Sequence, residues 1–163
     1  EHEVRLFFRI NRSSRHRALD KTMPLLTRLG GALFTLGFSL MLILTSAWKT
    51  VGWQCLLAVV ISHLPVAAIK KLYPRQRPYL VLPDTNICKN PLRDHSFPSG
   101  HTTAIFALTI PLCLAWPAFV PLLLLLAICV GLSRIYLGLH YPSDVAAGAG
   151  IGTAVAFGVS FVV

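Results

Sequence analysis

Acidic residues are scarce in this 163-residue chain: six Asp and Glu stand against fifteen Lys and Arg, giving a formal charge of +9. No carboxylate cluster therefore points to a catalytic metal. Charged residues of either sign are also few, at 13% against 55% hydrophobic, and the mean hydropathy is +0.65. That balance excludes an ordinary soluble domain and makes a membrane protein the first expectation. Cysteine is sparse and scattered. Cys55, Cys113 and Cys129 fall in apolar stretches and Cys88 in a polar loop, without CxxC or Cys/His metal spacing, so all four read as unpaired packing residues. Apolar stretches take up most of the length, which leaves little room for a separate soluble module.

What remains is a basic, apolar chain. A surplus of positive charge suits nucleic acid, anionic lipid headgroups or a phosphorylated substrate, and the apolar stretches favour the last two over nucleic acid. Residues 1–22 carry Arg5, Arg9, Arg12, Arg15, Arg17 and Lys21 beside Val4, Leu6, Phe7, Phe8 and Ile10, the pattern of an amphipathic helix lying on the membrane surface. A basic stretch precedes the first apolar run, so no cleavable signal peptide is expected. Crossing the hydrocarbon layer takes about 20 helical residues. Stretches near 26–48, 51–69, 101–116, 118–133 and 144–163 meet or approach that length, with Lys49–Thr50 and Trp116–Pro117 as tight connections. The expected fold is all-α: a polytopic membrane helical bundle of about five transmembrane helices plus an N-terminal interfacial amphipathic helix, with residues 1–163 forming one domain and 23–163 its core. Gly148, Gly150, Gly152 and Gly158 permit close helix approach in the last span.

Two polar loops, 71–98 and 135–143, fall by counting on the same side as the N-terminal segment, and the chemistry-bearing residues gather there. Lys70 closes the second span, His101 opens the third, Arg134 closes the fourth and Asp144 opens the fifth. Charges at such depths are costly unless paired, in a polar cavity or functional. Lys70, Arg77 and Arg134 supply the positive charge and forked donors that phosphoryl oxygens require. In the run from Ser96 to His101, Ser99 can cap a helix while Gly100 lets the backbone amides approach an anion. His140 precedes Asp144 by four positions, so the carboxylate can hold its tautomer.

Lys70 with Arg77-Pro78, Pro98-Ser99-Gly100-His101, and Ser133-Arg134 with His140 and Asp144 resemble the three motifs of the type 2 phosphatidic acid phosphatase family, in order and with family spacing across roughly residues 20–155. The resemblance implies a lipid phosphatase without cofactor or metal. His140 would attack phosphorus to form a phosphohistidine, Asp144 would orient it, and His101 would protonate the leaving group. Lys70, Arg77, Ser99, Gly100 and Arg134 would bind the phosphoryl oxygens. The implied partners are the bilayer and a membrane lipid phosphate: undecaprenyl diphosphate, phosphatidylglycerophosphate or phosphatidic acid. Transfer to an acceptor such as lipid A, and a non-catalytic anionic-lipid binder or transporter, are the competing readings.

Other polar residues take plainer readings. His63 with Pro65 reads as a helix kink with a locally satisfied histidine ahead of a proton relay; Asp94 and His95 read equally as solvated loop residues or as contacts to the headgroup or a second phosphate and stay outside the expected site; Lys71, Arg75, Lys89 and Arg93 read as headgroup anchors ahead of substrate attraction. Fourteen of the fifteen Lys and Arg lie on the site's side and only Lys49 opposite. The positive-inside rule alone would put that side in the cytoplasm. Resemblance to bacterial relatives implies the outer face of the plasma membrane, and the expectation carried forward is an outward-facing site with Cys88 open to a non-permeant thiol reagent.

Overall fold

The computed structural model describes residues 1–13, 15–87, 91 and 93–163. Cys88 and Lys89 lie outside the described residues. Among those described, the chain forms helices α1 (His2–Phe8), α2 (Arg17–Leu26), α3 (Ala32–Leu44), α4 (Lys49–Leu72), the single turn α5 (Pro78–Val81), α6 (Gly100–Ala115), α7 (Val120–Tyr136) and α8 (Pro142–Val162). The all-α expectation holds.

Among the described residues, three segments are long and apolar enough to cross a membrane: Ser46–Leu72, Pro117–Tyr136 and Pro142–Val162. A bent pair, Arg17–Gly30 with Ala32–Leu44, turned by 53° at its break, is long and apolar enough only when its two helices are taken together. The apolar α6 has 16 residues, about 24 Å of helix at 1.5 Å per residue. Most of α6 is buried from Thr102 to Leu112, because α3, α4, α7 and α8 pack around it. Its neighbours rather than lipid satisfy its surface. Leu33, Leu44, Leu64, Leu122 and Leu125 point outward, an apolar surface that a water-exposed domain could not keep soluble.

The first span differs from the expected continuous helix over 26–48. The chain turns through a 3₁₀ segment, Thr27–Gly30, and Gly31 is extended at φ −77°, ψ 152°. At the break the chain packs closely against α6 and α7. A Cβ on Gly30 would stand 2.6 Å from the His101 carbonyl oxygen and 2.9 Å from Val130 Cγ1. The turn expected at Lys49–Thr50 lies earlier, in the 3₁₀ segment Ser46–Trp48, and Lys49 opens α4. Trp48 packs edge-on against Trp116 at 4.7 Å at this end of the bundle, an interfacial aromatic pair.

The N-terminal segment, expected as one surface helix, is two helices joined by a π-helical turn, Arg9–Ser13. Tertiary contacts override its simple amphipathic pattern. Phe7 is buried against Tyr141 at 5.8 Å between ring centres. Asn11 is also buried, donating to the carbonyls of Tyr136 at 2.9 Å and Asn86 at 3.0 Å and accepting from the Asn86 amide at 2.9 Å. The segment is thereby fastened to the loops that carry the site.

Helix α8 meets α6 along small residues. In lipid there is no hydrophobic drive between helices, so association rests on van der Waals fit. A Cβ on Gly152 would stand 2.4 Å from the Thr103 carbonyl oxygen, whereas at Gly150 it would meet nothing within 4 Å. Gly152→Ala is accordingly expected to lower stability by about 1–3 kcal/mol through overpacking, and Gly150→Ala to be neutral or slightly stabilising. Thermal unfolding of the two variants in detergent checks the contrast.

Candidate active site

Pro142 sits at the start of α8, where its missing N–H costs nothing, and Asp144 in that first turn accepts the Tyr141 amide at Oδ2, 2.8 Å. The Asp144 carboxylate is fully buried. Its Oδ2 also accepts the Ser96 hydroxyl, and Oδ1 accepts Arg75 Nη1 at 2.7 Å. Arg75 stacks over the Tyr141 ring at 3.9 Å and reaches Glu3 of α1 through Nη2, 2.7 Å. Glu3 in turn accepts the Ser143 amide at 3.0 Å. A chain of charge-assisted bonds therefore runs from the N-terminal helix to the start of α8. Arg75, read as a headgroup anchor, is a bridge inside this network.

His140 lies between α7 and α8 and is 1% exposed. Its Nδ1 faces Asp144 Oδ2 at 3.6 Å, and its Nε2 lies 3.2 Å from Arg77 Nη1. A guanidinium nitrogen only donates, so Nε2 is the acceptor and the proton belongs on Nδ1, toward the carboxylate. The unprotonated Nε2 is the nucleophilic atom of such a ring. Loss of water around His140, with the positive charges of Arg134 and Arg77, outweighs the pull of Asp144 and pushes the imidazole down to about 4.

Arg77 is 1% exposed and held by acceptors on several sides: the Asp94 carbonyl at Nε, 2.7 Å, the Leu139 carbonyl at Nη1, 2.8 Å, and Asp94 Oδ1 at Nη2, 2.6 Å. Lys70, near the end of α4, donates to Asp94 Oδ2 and to the His95 carbonyl at 2.9 Å. Lys70, Arg77, Gly100, His101 and His140 line one cavity of about 470 Å³, together with Asp94 and His63. Gly100 and His101 occupy the first turn of α6, where N–H groups have no intrahelical acceptor.

Three other expected residues take different positions. Asp144 sits behind His140. Ser99 is buried as the α6 cap: its hydroxyl accepts from Thr102 Oγ1 at 2.9 Å and its amide donates to the Asp144 carbonyl at 3.0 Å. Local helix capping thus engages the serine expected to bind phosphate. Arg134, also buried, donates from Nη1 to Thr27 Oγ1 at 2.7 Å while contributing positive charge to His140. Asp94 and His63, which the sequence reading set outside the site, line its cavity. His63 Nδ1 bonds the Val59 carbonyl at 2.8 Å, as a kink-associated histidine would, but the residue also lines the cavity.

A second, apolar cavity of about 720 Å³ runs along α3, lined by Leu33, Phe34, Phe38 and Met41, and it shares Ala32 and His101 with the first. Among the described residues, no group of three or more His, Cys, Asp and Glu is placed to hold a metal ion. The positive field at the site is that of Lys70, Arg77 and Arg134.

A membrane helical bundle with a buried His/Asp pair facing a Lys/Arg pocket defines the class. The chain belongs to the PAP2 superfamily, whose family model matches residues 51–163. It is 38% identical over 96 residues to the bacitracin transport permease protein BcrC of Bacillus licheniformis, covering 59% of this chain and 47% of that protein. Over 140 residues it is 26% identical to the undecaprenyl-diphosphatase of Sulfolobus acidocaldarius, covering 85% and 68%. The chain thus spans about half the length of the first relative and two thirds of the second. The crystal structure of Aquifex aeolicus LpxE matches with a TM-score of 0.88 at 28% identity, covering 99% of this chain and 96% of that one.

The His140 value lies below the ordinary 6.5, so the unfolded chain takes up this proton first. Stability linked to the neutral ring is present above 6.5 and falls as pH drops from there toward 4. In protein carrying ¹⁵N-labelled histidine, His140 is expected to keep its neutral, Nδ1-protonated signals below pH 6.5; a midpoint at the ordinary value would contradict the assignment.

Proposed function

We propose that this chain is a metal-independent lipid phosphatase that works through a phosphohistidine on His140. The observation that carries the reading is the orientation of His140: Nε2 accepts from Arg77 at 3.2 Å within the Lys/Arg cavity, while Nδ1 faces Asp144 at 3.6 Å. Lys70, Arg77 and the first-turn amides of Gly100 and His101 receive the phosphoryl oxygens, with Arg134 adding positive field and Ser99 holding the helix start. Nε2 attacks phosphorus, the bond to the leaving oxygen breaks, and His101 gives that oxygen a proton. His101 borders both the phosphate cavity and the apolar groove, the place from which an acid reaches the leaving oxygen. Asp144 stabilises the positive charge that develops on His140. Water, losing a proton to His101, then attacks phosphorus and releases inorganic phosphate, regenerating both rings.

The apolar cavity along α3 supports a lipid as the substrate, because it meets the phosphate cavity at His101. Undecaprenyl diphosphate, phosphatidylglycerophosphate and phosphatidic acid are the candidates; the relative from Sulfolobus acidocaldarius is an undecaprenyl-diphosphatase. Purified protein is expected to release phosphate from at least one of them in the presence of a chelator and to acquire an acid-labile phosphoryl label. His140→Ala should abolish both, and Asp144→Asn should lower kcat by about 10²–10⁴-fold through the wrong tautomer. Unaltered hydrolysis by His140→Ala would eliminate the mechanism. Diversion of the phosphoryl group to added lipid A would instead assign a phosphotransferase.

The proposed location is a bacterial plasma membrane, crossed several times, with the site facing outward. A cysteine placed at exposed Arg93, in a variant whose own cysteines are serine, should react with a non-permeant maleimide in intact cells. Reaction only after lysis reverses the orientation.

A further inference from the structure

Asp94 lines the phosphate cavity, yet the chemistry proposed above gives it no part. Its two carboxylate oxygens are divided between two cations: Oδ1 accepts Arg77 Nη2 at 2.6 Å and Oδ2 accepts Lys70 Nζ. Lys70 and Arg77 have further anchors, on the carbonyls of His95, Asp94 and Leu139, so both keep main-chain partners when the carboxylate departs. Asp94 itself is on a loop with its side chain 53% exposed, so rotation about its side-chain bonds carries the carboxylate toward solvent while its carbonyl stays on Arg77 Nε. Partial burial pushes its carboxyl upward, but the hydrogen bond from Lys70 and the charge of Arg77 overcome this and hold it down to about 2. It is an anion throughout the working range of the protein. An anionic group bridging a guanidinium and an ammonium, in a cavity shared with His140 Nε2, has the arrangement that two phosphoryl oxygens would take.

We propose that Asp94 determines specificity: its carboxylate occupies the phosphoryl-oxygen positions on Lys70 and Arg77 in the empty site and yields them to a terminal phosphate or diphosphate, but not to a phosphodiester. The inference rests on the phosphatase reading of the site. A phosphodiester headgroup carries one negative charge and two free oxygens, the same as the carboxylate it must displace, and gains nothing in the exchange. A terminal phosphate carries about −1.5 to −2 at pH 7 and three free oxygens. Its additional charge strengthens both ion pairs, and its third oxygen can meet the first-turn amides of α6. The apolar groove that meets this cavity at His101 admits lipids generally, and most lipids of a bilayer are phosphodiesters. A tethered carboxylate keeps them from blocking the nucleophile.

The alternative role for Asp94, ordering Lys70 and Arg77, predicts the opposite sign, because its removal would weaken anion binding. Calorimetry on the purified protein in detergent separates the two, with inorganic phosphate and dihexanoyl-phosphatidylglycerol as probes. Asp94→Asn should bind phosphate about tenfold more tightly than wild type, the scale of one charge-assisted competitor removed. It should also bind the phosphodiester, which wild type and Asp94→Glu should not measurably bind. Weaker phosphate binding by Asp94→Asn, or unchanged phosphodiester binding, overturns the proposal. Loss of the folded state in both Asp94→Asn and Asp94→Ser would make Asp94 a structural tie and overturn it equally. The binding pattern in a wild-type protein that releases no phosphate from any lipid would sink the phosphatase reading alone; hydrolysis by wild type without the pattern would sink this inference alone.

Discussion

The buried carboxylate of Asp144 is the interaction on which the site's geometry depends. It has no exposed surface, and isolated in that position it would be strongly unfavourable. Four parts of the chain compensate it: the Ser96 hydroxyl before α6, the Tyr141 amide before α8, the Arg75 guanidinium after α4, and the His140 ring. Its own main chain adds a further tie, through the Ser99 amide at the start of α6. The loops after α4, before α6 and before α8 therefore converge on one residue. Removing that charge leaves Arg75 under-compensated and the imidazole without a fixed tautomer, so the fold of the loops and the orientation of Nε2 are coupled.

A second constraint is the opposite charge. Lys70, Arg77 and Arg134 are concentrated at one end of an otherwise apolar bundle, and cations at that depth need acceptors. Main-chain carbonyls supply several of them, which fixes donor directions before any substrate arrives. Preorganised donors act on a developing transition-state charge without reorganisation at the moment of reaction. The His140 ring is kept neutral by burial and, beyond that, by the same positive field, the state a nucleophilic imidazole requires.

Much of this was legible in the sequence because the motifs fall at helix ends. Lys70, His101, Arg134 and Asp144 bound their apolar runs, and a run's end is set by the same hydropathy that sets its depth. The expected spans over 51–69, 101–116, 118–133 and 144–163 differ from α4, α6, α7 and α8 by a few residues at each end. The features that were not legible depend on where distant segments meet. Asp94 is an ordinary loop aspartate until the chain brings it to Lys70, 24 positions away. Glu3 becomes part of the Asp144 network across 72 positions to Arg75. The N-terminal segment has an amphipathic composition, but burial of Phe7 and Asn11 on the site loops overrides a purely interfacial placement, and no periodicity encodes such partners.

The break between α2 and α3 shows how packing and the proposed function meet. Helix continuity through Gly30 and Gly31 would satisfy more backbone hydrogen bonds, and in a lipid setting that preference is strong. The close approach to His101 and Val130 that only glycine allows at position 30 coincides with a short 3₁₀ turn there. Beside it is an opening in which Ala32 and His101 border both the polar cavity and the apolar groove along α3. An amphiphile whose phosphate must reach His140 while its chain stays among apolar side chains needs them joined, and His101, the proposed proton donor, stands where the leaving oxygen of such a molecule would pass from one to the other.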